Sequence, residues 1–443
     1  HNFWLFIAIA GVVLYKTAKM DKNPFALVLF VLYAVPLFSV PIPGAGIVNY
    51  LFDLNYFRLI ALVILFPLYL KFRRNRDTIS FGKTWPDKFI AAYLLYSLFL
   101  VFPNTTLSNW CRLAFVQFID VFLPYYVASR CIKSLADFDD AIQSLLIATS
   151  IAALIAIVEY AKGWLLYSAV PHAQDVVWAY GGYLRRGESL RALASAGQAI
   201  VLGYTMAIAL GLYAYLAARI SIPKIKYAVY ALLFAGLFAP VSRGPWVGAA
   251  FIFTLIILMG PSPTKQLVKI GFGILIPGVL FLFTPWGSKF VNYLPFVGTV
   301  DAETVTYRQD LLTNSWQVIR DNFWFGSPDF MNTEEMESMR AGANGGIIDL
   351  VNSYVAIALS GGIVGLFFFA GFFIASVWSV FKSTRVLKNN SELHWLGRSL
   401  LTTSLGSMVI IYTVSSILVI PIVYWMLGGL CVAYSGMVWS ANE

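Results

Sequence analysis

Runs of about twenty apolar residues, separated by short polar connections, recur along the whole chain. Nothing else constrains its fold as much. A run of that length crosses the roughly 30 Å hydrocarbon core of a bilayer as an α-helix. In lipid every backbone N–H and C=O must be satisfied within the protein, so only helices and closed barrels can span. The runs are continuous rather than alternating, which excludes a barrel. Of 443 residues, 59% are hydrophobic and 12% charged, far from a soluble globular balance. The sequence predicts an all-α polytopic membrane protein.

Spans are predicted near 3–15, 24–42, 54–71, 87–103, 109–129, 141–161, 192–218, 225–240, 244–260, 267–284, 350–381, 397–415 and 417–438. The alternate connections hold twenty of the 31 basic residues, among them Lys71, Arg73, Arg76, Arg130, Lys382 and Lys388. Lys and Arg collect in cytoplasmic loops, so that face is expected inside. The two long loops, near 162–191 and 285–349, are then outside. Met20 resembles a natural start. Residues 1–19 are accordingly expected to be a tag, a fusion or an extra helix, and residues 20–443 a single membrane domain of 12 transmembrane helices. The net charge of +9 is accounted for by this topology, so no nucleic-acid partner is expected. Three cysteines and three histidines show no metal-ligand spacing, and neither metal nor cofactor is expected.

The second outer loop is expected to carry short amphipathic helices. Leu312, Trp316, Ile319 and Phe323 form one helical stripe, predicted to lie on the membrane surface. Gly326-Ser327-Pro328 stops that helix. Asn352 and Tyr354 then open a helix running to about Phe381, longer than the hydrocarbon core requires. The glycines in Ser360-Gly361-Gly362-Ile363-Val364-Gly365 are explained by close helix packing.

Eleven basic residues remain for the outer face: Arg58, Arg112, Lys162, Arg185, Arg186, Arg191, Arg243, Lys289, Arg308, Arg320 and Arg340. Nine are arginine, whose planar fork grips phosphate oxygens in pairs as lysine cannot. Arg243 sits in a Ser-Arg-Gly turn too tight to leave the bilayer, where a charge needs a partner. For Arg185, Arg186 and Arg340, snorkelling to lipid headgroups is an equal reading. Among outer acids, which include Asp301, Glu159 and Asp349 abut apolar spans and are the general-base candidates. Asp120 lies inside the fifth span, on a face shared with Arg112 about 12 Å away.

One stretch resembles a known family. Arg308, Leu311 and Trp316, then Phe325-Gly326-Ser327-Pro328-Asp329-Phe330, Val351-Asn352-Ser353-Tyr354 and Gly361-Gly362-Ile363-Val364-Gly365-Leu366 resemble the O-antigen ligase and Wzy-type polysaccharide polymerase superfamily. Ser242-Arg243-Gly244 and Arg191-Ala192 match two further motifs. The resemblance implies a metal-independent, GT-C-like glycosyltransferase of the bacterial inner membrane, its active site facing the periplasm. It implies an undecaprenyl-diphosphate-linked oligosaccharide as donor, with Arg191, Arg243 and Arg308 holding the diphosphate. It also implies contact with membrane lipid, and a chain-length regulator and a flippase as partners. The ligases carry His directly before the position that aligns with Asn352. Here that residue is Val351, which cannot take a proton. Polymerase is therefore the expected activity, with O-antigen ligase as the alternative. A lipid-linked glycan transporter is a second alternative, but it calls for paired halves and interrupted helices, and the sequence suggests neither.

Overall fold

A computed structural model describes residues 3–44, 50–75, 78–178, 180–260, 262–284, 287, 291–294, 303–340, 348–387 and 391–440. Arg76, Lys289, Asp301, Lys388 and parts of the 285–349 loop lie outside the described residues. Helix occupies part or all of every predicted span. Among the described residues, seven helices are long and apolar enough to cross a membrane: Phe3–Met20, Trp85–Asn104, Leu107–Cys131, Leu135–Lys162, Ala199–Ala217, Ser353–Val386 and Val419–Ser440. The chain is a multi-pass helical membrane protein. Pro223–Phe238 and Arg243–Leu258 are shorter, at 16 residues each.

Local chemistry sets most helix ends. Thr84 with Asp87, and Ser134 with Asp137, form capping boxes at the starts of two spanning helices, satisfying backbone N–H groups that have no partner in the first turn. Gly163 ends Leu135–Lys162 in the left-handed conformation. The Phe3–Met20 helix buries Phe3, Ile7 and Leu14 and extends five residues past its predicted end at residue 15.

The predicted span 24–42 is corrected. Its helix covers only Pro24–Val31, and Ser39–Pro43 is a strand paired antiparallel with Tyr50–Asn55, Ser39 opposite Asn55 and Pro41 opposite Asp53. Pro36, Pro41 and Pro43 each lack an N–H and would clash with the preceding turn, so apolarity alone cannot carry the helix through them. The strand continues to the loop near 162–191, where the Ser39 and Val177 backbones exchange hydrogen bonds.

Two charges read as peripheral are paired inside. Arg130 donates to Asp87 at 2.8 Å with both side chains fully buried, and the Tyr125 hydroxyl donates to the other Asp87 oxygen at 2.7 Å. Asp120 takes Arg58 as its partner at 2.7 Å, while Arg112 instead lies over the Tyr50 ring, 4.1 Å from its centroid.

The feature with the largest consequence is a break in Ser353–Val386. Gly362 has φ 61° and ψ −165°, a conformation that essentially only glycine adopts. The segment ending the preceding surface helix fills the break. Ser327 N–H donates to the Leu359 carbonyl at 2.8 Å, and Ile363 N–H donates to the Phe323 carbonyl at 2.9 Å. Tyr96 adds a hydroxyl to the Gly361 carbonyl at 2.7 Å. Irregular backbone at this depth persists only where protein supplies such partners. The expectation of one uninterrupted rod, with its glycines serving helix packing, is overturned. A Cβ on Gly362 would overlap the Trp324 carbonyl, whereas one on Gly361 would meet nothing closer than Tyr96 at 3.6 Å. Gly362→Ala should therefore cost on the order of 3 kcal/mol and lower the melting temperature in detergent. Gly361→Ala should melt close to wild type, and equal effects of the two would contradict the clamp.

Candidate functional site

Three separate stretches of chain bring arginines to one place. The first is the loop after Leu135–Lys162. Glu159, 1% exposed at the end of that helix, accepts from Leu166 N–H at 3.0 Å, Leu193 N–H at 2.9 Å and Ala194 N–H at 2.8 Å. These bonds fold the loop back and fix the stretch containing Arg191. A small hairpin pairs Arg185 with Leu190 and Arg186 with Ser189.

The second stretch is the turn Pro240–Arg243. Val241 has φ 47°, rare for a β-branched residue and characteristic of sites where surrounding structure holds strain. The turn presents consecutive carbonyls: Pro240 O accepts from Arg191 Nε at 3.2 Å and Val241 O from Arg186 Nη1 at 2.8 Å. Arg243 is the first residue of the Arg243–Leu258 helix, and Ser242 makes no side-chain cap there. The guanidinium of Arg243 donates to the Tyr293 carbonyl at 3.0 Å and the Asn292 carbonyl at 3.4 Å. Tyr293 in turn bonds Ser189 of the hairpin at 3.2 Å.

The third stretch is the surface helix Glu303–Asp321. Its buried face is Leu311, Ser315 and Val318, packed in a cluster with Phe330, Met336 and Met339. Of the predicted stripe, Ile319 packs on that cluster, while Leu312, Trp316 and Phe323 are exposed. Arg308 stands at the rim and donates to the Thr413 carbonyl at 3.4 Å. Loss of solvation within the surrounding protein lowers its pKa, the neighbouring Arg186 lowers it further, and Asp349 pulls the other way. Two guanidinium groups and one carboxylate therefore share this space.

Asp349 accepts from the Ser415 hydroxyl at 2.6 Å, and its backbone is held at both N–H and C=O by the Tyr307 hydroxyl. Asn352 caps the following helix, its Oδ1 accepting from Tyr354 N–H at 3.0 Å and Val355 N–H at 3.2 Å. Ser353 bonds the Val414 carbonyl at 3.0 Å and the Ser416 hydroxyl at 2.6 Å. Gly244 packs directly against Thr413 and Val414. The 413–416 connection thus touches the Ser-Arg-Gly turn, Arg308, Asp349 and Ser353.

The structure brings Arg186, Arg191, Arg243, Arg308 and Asp349 to this one face. Arg185 donates to the Glu188 carbonyl within its own hairpin, and Arg340 pairs with Glu337 and reaches the Met331 carbonyl. Asn352 is buried as a helix cap. Sequence reasoning passed over Tyr307, Tyr293, Ser415 and Ser416. The only trace of the last two was a Thr-Val-Ser-Ser interruption between apolar runs. Among the described residues, no group of His, Cys, Asp or Glu comes together that could hold a metal.

Three backbone donors converge on Glu159, and those of Leu193 and Ala194 anchor the chain beside Arg191. Glu159→Gln presents one acceptor oxygen where there were two and leaves a buried N–H unpaired, at about 1–3 kcal/mol. The melting temperature should fall by a few degrees while the pH profile of activity keeps its shape. Unchanged melting with activity abolished would make it a catalytic group instead.

Residues 228–370 match the family model described as O-antigen ligase. The match covers the Ser-Arg-Gly turn, the surface helix, Asp349, Asn352 and the helix break, and stops short of Arg186 and Arg191 on the N-terminal side. No curated protein matches the chain. That family comprises membrane glycosyltransferase-like enzymes, ligases and polymerases alike. The match spans residues 228–370 alone, and over that stretch the chain is similar to the O-antigen ligase family.

Proposed function

We propose that the chain is a polymerase that joins oligosaccharide repeat units carried on undecaprenyl diphosphate into a surface polysaccharide. The Lys and Arg of the opposite connections support a reading in which the arginine cluster faces the periplasm. The observation that carries the proposal is the convergence of Arg186, Arg191, Arg243 and Arg308 around the start of the Arg243–Leu258 helix. Helix N-termini favour anions, and this one is not closed by a side chain. A diphosphate bridging these groups would meet fixed positive charge from several directions.

The chemistry follows from that charge. The acceptor hydroxyl attacks the anomeric carbon of the donor, and the carbon–oxygen bond to the diphosphate breaks. The bonding electrons go to the diphosphate oxygen, and the hydroxyl proton goes to a base. Charge grows on the leaving group as the bond lengthens, so guanidinium groups already in place stabilise the transition state more than the ground state. Asp349 is the proposed base, since it lies close to Arg308 and its carboxylate is oriented by Ser415. Asn352 orients the chain at the start of the helix without itself taking a proton.

Ligase and polymerase share this machinery, and Val351 in the position of the ligases' histidine favours the polymerase. The transporter reading is weaker. The break at Gly362 is filled by the Phe323–Ser327 backbone, whereas the unwound carbonyls of transporters coordinate ions.

Incubating purified protein with its lipid-linked repeat unit separates these readings. A ladder of longer lipid-linked products is expected. Transfer to lipid A-core would make it a ligase, and an unchanged glycan would favour transport. Arg243→Lys should slow the ladder about 10- to 1000-fold, as loss of one charge-stabilising donor does. Asp349→Asn, which can still accept from Ser415, should abolish elongation while donor binding persists. Full activity of Asp349→Asn would remove it as the base.

A further inference from the structure

At the end of the bundle far from the arginines, a groove of about 610 Å³ lies on the outer surface. It runs between the start of the Trp85–Asn104 helix and the second half of Ser353–Val386, with Trp439 beside it. That volume falls within the roughly 300–1,000 Å³ of small-molecule sites. Phe89, Phe367 and Ile374 give it apolar walls, and Phe367 and Ile374 are open sideways, 59% and 60% exposed. Lys83 and Lys382 line it as well. Lys382 lies over the Trp439 ring at 5.3 Å.

Charge and length together select the occupant. Among the described residues no acidic side chain lines the groove, and Asp87, from the same stretch of chain, is fully buried and paired with Arg130. Neither lysine makes an ion pair among the described residues. Phe367 and Lys382 are fifteen residues apart on one helix, or about 22 Å of rise. One leaflet, counted from mid-bilayer through its headgroups, is also about 20–22 Å deep. Trp85, Trp378 and Trp439 line the same groove, and tryptophan prefers the headgroup level. The groove is thus apolar over the depth of an acyl chain and basic where a headgroup would lie.

We propose that this groove holds one anionic glycerophospholipid of the leaflet opposite the arginine cluster. Its phosphate sits between Lys83 and Lys382, and one acyl chain lies along Phe89, Phe367 and Ile374. Such a lipid would brace the far end of the helix whose near end carries Asn352 and Ser353. None of these groove residues belongs to the arginine site, so the proposal stands whether or not the polymerase reading does.

Native mass spectrometry of the detergent-solubilised full chain tests it, using phosphatidylglycerol and phosphatidylcholine with identical acyl chains. Wild type should retain one phosphatidylglycerol with roughly 30-fold preference, as two nearby lysines would give. Lys83→Gln with Lys382→Gln should bring the two lipids to parity, and Ala375→Phe, which fills the groove, should reduce retention of both. Equal retention of the two lipids by wild type would overturn the proposal. So would a preference that survives the double substitution, or displacement of the lipid by inorganic phosphate alone.

Discussion

The arrangement of the arginine-bearing face depends on a set of backbone hydrogen bonds that a regular helix would have kept for itself. At Gly362 the Ser353–Val386 helix stops, and the carbonyls and N–H groups it leaves unpaired are taken by Phe323, Ser327 and Tyr96. In a low-dielectric setting each unpaired group would be costly, so the break and the loop that fills it stand or fall together. The exchange fixes the C-terminal end of the surface helix against a spanning helix. Arg308, at the other end of that helix, is thereby placed beside Arg186 and Asp349. Gly326, with φ 68°, packs against the backbone of Gly361 and Gly362, so the close approach is built from both sides.

A second constraint operates on the arginines themselves. Concentrating positive charge on one face is unfavourable unless the groups are held, and here backbone carbonyls hold them. Pro240 and Val241 serve Arg191 and Arg186, Tyr293 and Asn292 serve Arg243, and Thr413 serves Arg308. Carbonyls orient guanidinium groups without cancelling their charge, as carboxylates would. The strained Val241 makes two of those carbonyls available from consecutive residues. Outside the cluster, Arg130 and Arg58 meet carboxylates directly.

Much of this was legible in the sequence, and the failures share a cause. Apolar run length located helix in every predicted span because the bilayer leaves few alternatives. It misled at 24–42, where three prolines override apolarity, and at Gly361-Gly362, where two glycines in an apolar run suit a packing contact and a break equally well. The aromatic stripe of the surface helix could be read, but its protein-facing side includes Ser315 and so lacked an apolar signature. That arginines would gather in the connections near the surface helix was readable from the order of the apolar runs. Their carbonyl partners were not, since every residue has a carbonyl and only the fold decides which ones converge. Glu159 and Asp349 looked alike as carboxylates beside apolar spans. Three amides surround one and a hydroxyl orients the other, a difference that arises only from tertiary contacts.

The central claim is that arginines from separate stretches of chain form one diphosphate site. The most direct measurement is the affinity of the purified protein for undecaprenyl diphosphate and for undecaprenyl monophosphate, in wild type and in Arg308→Lys. The account predicts that wild type binds the diphosphate about tenfold or more tightly, as paired charge-assisted bonds allow, and that Arg308→Lys loses most of that difference. Equal affinity for the two lipids in wild type, or a preference untouched by the substitution, would contradict it.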